Sequence, residues 1–372
     1  AGNASISVTF TAPSDVGTSS ITGYVAQASS SSGDYSAGSG TGTSSPVTIS
    51  SLSNGTAYTA KVWAINAYGT SAPSEASSSA TPVAPKALIA LGMNSGGTKL
   101  NTVETVTIST TANSTDFGDL SSNRNGIGGS SGSSSTRGIF AGGAPRQDTI
   151  DYFTIASAGN ATDFGNLLAA VSSTCSCSND TRSITGGGSI SSGAQNVAQY
   201  LTIASTGNAT DFGDLTVARY ELGSTSSPTR GLWFGGNTAS AIVNTIDYVT
   251  IASTGNATDF GDRTVTASEN CICSSSNTRA VAGGGSEGAG PTNVIDYVTI
   301  ASTGNATDFG DLSTEKSRGG GTSSKIRGIF AGGDDNVIDY ITIASTGNST
   351  DFGDLSAVSS LCSACSNQHG GL

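Results

Sequence analysis

The chain is short of the residues on which most soluble enzymes rely. It has one histidine, five lysines and one methionine, and charged residues make up only 11% of it. No stretch keeps an apolar stripe at i, i+3, i+4 and i+7 for three turns, which excludes a helical bundle or an alternating α/β chain. No run approaches the roughly 18 apolar residues of a membrane-spanning helix, so no membrane insertion is expected. The sole imidazole, His369, stands in a glycine-rich C-terminal segment, a poor setting for a catalytic triad or an imidazole metal site. With 15 basic against 27 acidic residues the net charge is −12, a sign that disfavours nucleic acid as a partner.

What remains is glycine, serine, threonine, asparagine and short alternating apolar runs, the pattern of an all-β protein. At 372 residues the length suits two domains or a long repeat array. Residues 1–85 read as one unit, with a Ser-rich stretch and then Thr81–Pro85 as its linker. Within it Ser5–Phe10, Ile21–Ala26, Pro46–Ile49 and Tyr58–Ile65 alternate with period two, so each can turn one face inward. The approach Leu52–Tyr58, the run Val62–Gly69 and the segment Ser71–Glu75 resemble a fibronectin type III domain. That resemblance implies a β-sandwich with a tyrosine corner at Tyr58. The chain opens almost directly in the second strand of such a domain, and the expectation is a sandwich truncated at its first strand, with more protein upstream.

Residues 86–372 repeat. The segment from Thr202 to Asp214 recurs unchanged at 250–262 and 299–311, with close variants before Phe117, Phe164 and Phe352. The phenylalanines at 117, 164, 212, 260, 309 and 352 are spaced 47, 48, 48, 49 and 43 apart. Each copy also carries an apolar run ending in paired glycines, as in Arg137–Gly143, Arg182–Gly187, Arg230–Gly236, Arg279–Gly284 and Arg327–Gly333, with a weaker first copy at Ala87–Gly92. This order resembles the kelch blade, whose period is about 50, with Phe in place of the usual Trp. The resemblance implies a six-bladed kelch-like β-propeller. The twin glycines are expected to let neighbouring blades approach, the Gly-Asn pair to supply positive-φ turn residues, and the periodic ring to fill the space between sheets. The first copy lacks an inner strand and the segment Ser356–Cys365 resembles one, so closure by the C-terminal strand against Ala87–Leu91 is expected.

The cysteines fall in pairs at 175 and 177, 271 and 273, and 362 and 365, on the inner strands of alternate repeats, where the other repeats carry small residues. Small apolar filling is the leading reading, with disulfides and metal as alternatives. The aspartate of Thr-Asp-Phe could suggest calcium. A structural role is favoured, in bonds to backbone N–H or to the repeated arginines 137, 182, 230, 279 and 327. Asn113, Asn160, Asn208, Asn256, Asn305 and Asn348 fit the glycosylation pattern, although turn geometry already accounts for them.

No nucleophile with a base, metal cage or acid pair is visible, so no catalytic residue, cofactor site or metal site is assigned. The near-identical repeats behind a fibronectin-like module resemble the kelch-like structural proteins of tailed phages, particularly marine ones. That resemblance implies a noncatalytic virion fibre, tail or capsid-surface component. Its partners would be other virion proteins, in an oligomeric assembly, and a host-surface glycan or protein. A secreted bacterial adhesin or appendage subunit is the alternative, and an extracellular enzyme the third. The loops after the twin glycines vary most, and they are expected to share a face with those following Phe-Gly-Asp. They nominate Asp334, Asp335, Asn336, Glu287, Asn237 and Asn244 for binding.

Overall fold

The computed structural model describes residues 1–372 except Ser32, Ala239 and Asn270. Among these residues there is no helix, and every regular element is a strand. The chain divides into two units, Ala1–Pro85 and Lys86–Leu372.

The first unit is a sandwich. Ile6–Val8 pairs with Val47–Ile49, and the second sheet runs in the order Gly38–Gly42, Ile21–Ser29, Thr59–Asn66, Gly69–Thr70. Alternate residues of these strands meet in one core that includes Ile6, Tyr24, Ala26, Val47, Ile49, Tyr58 and Val62. The Tyr58 hydroxyl accepts the Ser53 N–H at 3.1 Å, which pins the approach to its strand. The strand Gly38–Gly42 escapes a search for alternating apolar residues because it has none. Its glycines are there for space: a Cβ on Gly40 would lie 2.0 Å from the Thr48 carbonyl oxygen. Most of the Ser-rich stretch is edge rather than linker. The N–H groups of Ser71, Ser74 and Ser77 donate to the carbonyls of Ala64, Val62 and Ala60. Their hydroxyls accept the N–H of the same three residues, so a serine every third residue satisfies an open sheet edge.

Among the described residues the second unit contains six large sheets built on four antiparallel strands in the same order, with a fifth, two-residue strand added to the fifth and sixth, and a separate small sheet of Ser189–Ile190 and Gly193–Ala194. The second is Gly132–Ser133, Arg137–Ala141, Gln147–Thr154, Thr162–Val171, and the third is Cys175–Ser178, Arg182–Gly186, Val197–Thr202, Thr210–Asp214. The fourth, fifth and sixth repeat this order starting from Gly223–Ser226, Ile272–Ser275 and Gly320–Ser323; the first strands of successive sheets pack against one another and are called axial for that reason. The first sheet is assembled from both ends of the unit. Ser363–Ser366 pairs with Lys86–Ala90, placing Ser363 opposite Ala90 and Ser366 opposite Ala87. The C-terminal partner is shorter than the sequence suggests, because Ser356–Ser360 belongs to the outer strand Thr350–Ser360 and only Ser363–Ser366 forms the axial strand.

Side chains tie each sheet to the next, and the ties run round a closed cycle. The Gly-Asn turn of one sheet, replaced by Ala112-Asn113 in the first, covers the outer edge of the sheet before it. Asn160, Asn208, Asn256, Asn305, Asn348 and Asn113 each accept, through Oδ1, the N–H of Asp119, Asn166, Asp214, Asp262, Asp311 and Asp354 at 3.0–3.1 Å. The carbonyls of those same six donors take the N–H of Ala161, Ala209, Ala257, Ala306, Ser349 and Ser114 at 2.7–2.9 Å. The asparagines therefore act as clasps, and only the glycine of each Gly-Asn pair has positive φ. The clasp also explains the glycine after each phenylalanine: a Cβ on Gly213 would lie 2.5 Å from the Gly255 carbonyl oxygen.

A second tie uses the repeated arginines. Arg137, Arg182, Arg230, Arg279 and Arg327 lie 4.2–4.7 Å over Tyr152, Tyr200, Tyr248, Tyr297 and Tyr340. Each then donates to a carbonyl of the following sheet, at Ile203, Ile251, Ile300, Ile343 and Ile108. The expected pairing of these arginines with the Thr-Asp-Phe aspartates does not occur. Asp116, Asp163, Asp211, Asp259, Asp308 and Asp351 are exposed, and Asp351 accepts the Gly353 N–H. The tyrosines stand edge-on to the buried Phe164, Phe212, Phe260, Phe309 and Phe352, centroids 5.7–6.1 Å apart. Ring, ring and guanidinium thus form one stack in each of the second to sixth sheets.

The twin glycines serve mainly backbone geometry. Gly142, Gly187, Gly235, Gly284 and Gly332 hold φ of 59–71° and the glycines after them 101–120°, values that L side chains disfavour, so in the third and fifth sheets the pair is the last two of three glycines rather than the first two. The cysteines are all buried and unbridged, on the axial strands of the first, third and fifth sheets or one residue before them. They face glycines of the second, fourth and sixth. A Cβ on Gly231 would lie 2.3 Å from Cys177 Sγ, and one on Gly223 would lie 2.5 Å from the sulfurs of both Cys271 and Cys273. Sulfur on one side of a junction and no side chain on the other is what makes the cysteines alternate.

Two measurements probe this architecture. Deleting residues 356–372 removes the first sheet's axial strand, and loss of cooperative melting throughout Lys86–Leu372 is expected; an unchanged transition would contradict closure. Gly231→Ala should cost roughly 1–3 kcal/mol in urea denaturation. Because its nearest obstacle is the Cys177 sulfur, adding Cys177→Ala should recover most of that loss; simple additivity would argue that the two residues do not share space.

Candidate functional site

The loops after the twin glycines lie beside the segments that follow each outer strand. Asn125 bridges Ala144, Ser172 bridges Ser189, Tyr220 bridges Asn237 and Ser268 bridges Ser286, so both sets of loops lie at one end of the unit. The nominated residues are on this end but come from three sheets. Asn237 and Asn244 flank the fourth-sheet loop, in which Ala239 is outside the described residues, and the Asn244 carbonyl accepts the Arg263 N–H. Glu287 sits at a two-residue strand, opposite Gly290. Asp334 is exposed with φ of 72°. Asp335 and Asn336 are not loop residues but open the strand Asp335–Thr342. The Asp335 carboxylate is bound by Lys316 Nζ at 2.5 Å, so half of the acidic pair is already neutralised.

Sequence reading missed the residues at the axis on this same end. Nine positions after each phenylalanine stand Gly126, Ser173, Glu221, Glu269, Arg318 and Leu361, all with φ of 54–61°. Their backbones are linked in succession: Ser173 N–H donates to Gly126, Glu221 to Ser173, Arg318 to Glu269, and Cys362 to Arg318. Glu269 pairs with Arg318 at 2.6 Å. Burial, followed by the neighbouring Glu269 carboxylate, raises Glu221 above the usual carboxylate range. The constant offset from phenylalanine was legible; the positive φ that brings the six together was not.

A second missed set is the polar residue in the third strand of each sheet, an acid in five of them and Gln199 in the third. Glu104, Asp151, Gln199, Asp247, Asp296 and Asp339 are buried. Each accepts from the chain leaving the preceding sheet, as Asp151 does from the N–H and hydroxyl of Ser121 and Asp247 from those of Thr216. Three of the aspartates also hold a buried arginine, in the pairs Arg124–Asp151 at 2.8 Å, Arg219–Asp247 at 2.9 Å and Arg263–Asp296 at 3.2 Å. Burial lowers the Arg124 and Arg219 guanidiniums, and the facing aspartates oppose it. These pairs are committed to one another and have no side-chain exposure.

At the far end of the axial strands six serines form a closed cycle. Ser178, Ser226, Ser275, Ser323, Ser366 and Ser133 donate their hydroxyls to the carbonyls of Ser133, Ser178, Ser226, Ser275, Ser323 and Ser366 at 2.5–2.8 Å. The glycine-rich C-terminal segment lies across this cycle. A Cβ on Gly371 would sit 2.0 Å from the Ser178 carbonyl oxygen. His369 is buried: its Nδ1 accepts the Gly371 N–H at 3.0 Å, so Nε2 carries the proton toward the Ser133 carbonyl and Ser178 Oγ. Desolvation lowers its pKa to about 4.

The thiols offer no accessible nucleophile. Burial raises Cys175 and Cys362 to about 12 and pushes Cys177 and Cys365 higher. Cys271 is lowered to about 7 by the hydrogen bond from Cys273, yet it is only 1% exposed. Among the described residues no group of three or more His, Cys, Asp or Glu is placed to hold a metal.

Residues 1–80 match the family model for the fibronectin type III domain. The Tyr58 bond and the two-sheet arrangement agree with that match. No curated protein matches the chain.

The buried imidazole sets a pH dependence. Its folded pKa of about 4 lies below the unfolded value near 6.5, so the unfolded chain binds the proton first. Stability is full above pH 6.5 and falls with pH toward 4, by about 3 kcal/mol in the limit. Urea midpoints at pH 7 and pH 5 should separate for the native chain and converge for His369→Gln; equal separations would rule out His369 as the titrating group.

Proposed function

We propose that Lys86–Leu372 is a six-bladed kelch-like β-propeller closed by its C-terminal strand. On this reading the chain is a noncatalytic virion structural protein, a fibre, tail or capsid-surface component that offers the loop end of the propeller to a host surface or to neighbouring virion proteins. The observation that carries the reading is the use of side chains. His369 and the buried arginines paired with Asp151, Asp247 and Asp296 are engaged in ties between sheets, the cysteines are buried and unbridged, and sequence variation is concentrated in the loops after the twin glycines. A chain whose chemistry is internal and whose variation is at one end is suited to presentation rather than catalysis.

The experiment is imaging of native particles followed by binding. A ring-shaped density at the particle surface is expected, together with glycan-array or host-cell binding that weakens at least tenfold on replacing Asp334 and Glu287 by alanine. Particles without such a density would overturn the virion assignment. Undiminished binding by the double variant would remove the acidic loops from the binding face.

A further inference from the structure

The sixth sheet departs from the buried Arg–Asp pattern in a way that brings together the parts of a condensation reaction. Seven positions after the phenylalanine, where Arg124 and Arg219 hold the third-strand aspartate, the chain has Lys316, at the end of the strand Thr307–Lys316. Its side chain is fully buried, and its Nζ sits 2.5 Å from Asp335 Oδ2 and 3.9 Å from Asp339 Oδ2. The other oxygen of Asp335, Oδ1, accepts the Val337 N–H at 3.0 Å. Asp339 has no side-chain exposure, takes the Ser313 hydroxyl on Oδ2, and leaves Oδ1 buried without a partner.

We propose that Lys316 and Asp335 form an intramolecular amide, an isopeptide bond that crosslinks the fifth sheet to the sixth, with Asp339 as the proton carrier. An amine held against a carboxyl carbon at the roughly 3–3.5 Å of a near-attack geometry reacts as an internal partner rather than a bimolecular one. Burial raises Asp339 above the ordinary carboxylate range, which leaves it as the acid that such a reaction needs.

The Lys316 ammonium passes one proton to Asp335 Oδ2, giving a neutral amine beside a neutral acid. Nζ attacks Cγ, and the charge that collects on Oδ1 meets the Val337 N–H. Asp339 gives its proton to Oδ2, which leaves as water while the Cγ–Oδ1 double bond re-forms, and the surplus proton on Nζ returns to Asp339. One N–C bond forms, one C–O bond breaks, one water is released and no electrons are transferred.

The full chain, folded and incubated at neutral pH, is to be weighed intact after denaturation and then digested. A mass short by one water is expected, with a crosslinked fragment joining the peptides that hold Lys316 and Asp335. Lys316→Arg, which places here the residue that Arg124 and Arg219 supply at the same offset, and Asp335→Ala should have full mass. Asp339→Asn should retain full mass at incubation times that complete the native reaction. Melting curves establish that each variant is folded. A native chain of full mass, with Lys316 open to acetylation once unfolded, would overturn the proposal, as would the same water loss in Lys316→Arg.

Discussion

A four-stranded antiparallel sheet has two open edges and two faces, and alone it can satisfy neither. In the second unit the outer edge is satisfied by the neighbouring sheet: a Gly-Asn turn brings one side-chain oxygen and one backbone N–H against it. The requirement is geometric before it is chemical. The clasped strand has glycine where the next turn's carbonyl passes within 2.5 Å of a would-be Cβ, which explains why Phe-Gly is unchanged in all six copies. The same bond joins Asp354 to Asn113, so the last sheet's edge is covered by the first and no outer edge is left over.

The other ties run in the same direction. Arginines stacked on tyrosines reach the next sheet's carbonyls, the third-strand acids receive the chain leaving the previous sheet, and the axial serines relay hydroxyl to carbonyl around the centre. Breaking a buried ion pair by removing one partner costs about 3–5 kcal/mol, because the partner left behind is an uncompensated charge. The arginine pairs with Asp151, Asp247 and Asp296 therefore do more for a unique arrangement than for net stability. The first sheet is the exception to the stacking rule: Lys86 stands over Phe117, and Phe153 takes the edge-on place. It is also the sheet assembled from both chain ends, so its continuity depends on the pairing of Ser363–Ser366 with Lys86–Ala90.

Much of this was legible in the sequence. The period, the number of copies, the buried phenylalanines and the closing segment all follow from recurrence, since a residue kept at a fixed spacing in near-identical surroundings has one structural job. Roles were harder to read than positions. The repeated arginines and the Thr-Asp-Phe aspartates invite pairing on charge alone, but in the extended strand that aspartate points to solvent, and the arginine finds a ring and a carbonyl instead. The cysteines read as filler, and their alternation becomes intelligible only once glycines stand opposite them.

For the candidate binding end, recurrence identified variable loops but not what they enclose. Asp335 looks like a free loop acid until Lys316 is found beneath it, and Glu221, Glu269 and Arg318 look unremarkable until positive φ turns them to one mouth. His369 is the sharpest case: a tail residue in the sequence, a buried imidazole across the serine cycle in the fold. Spacing along the chain determined the modules, because local hydrogen bonding and burial repeat with it. Only tertiary structure decided which groups are buried and which charges meet, because those depend on what the neighbouring sheet brings to the junction.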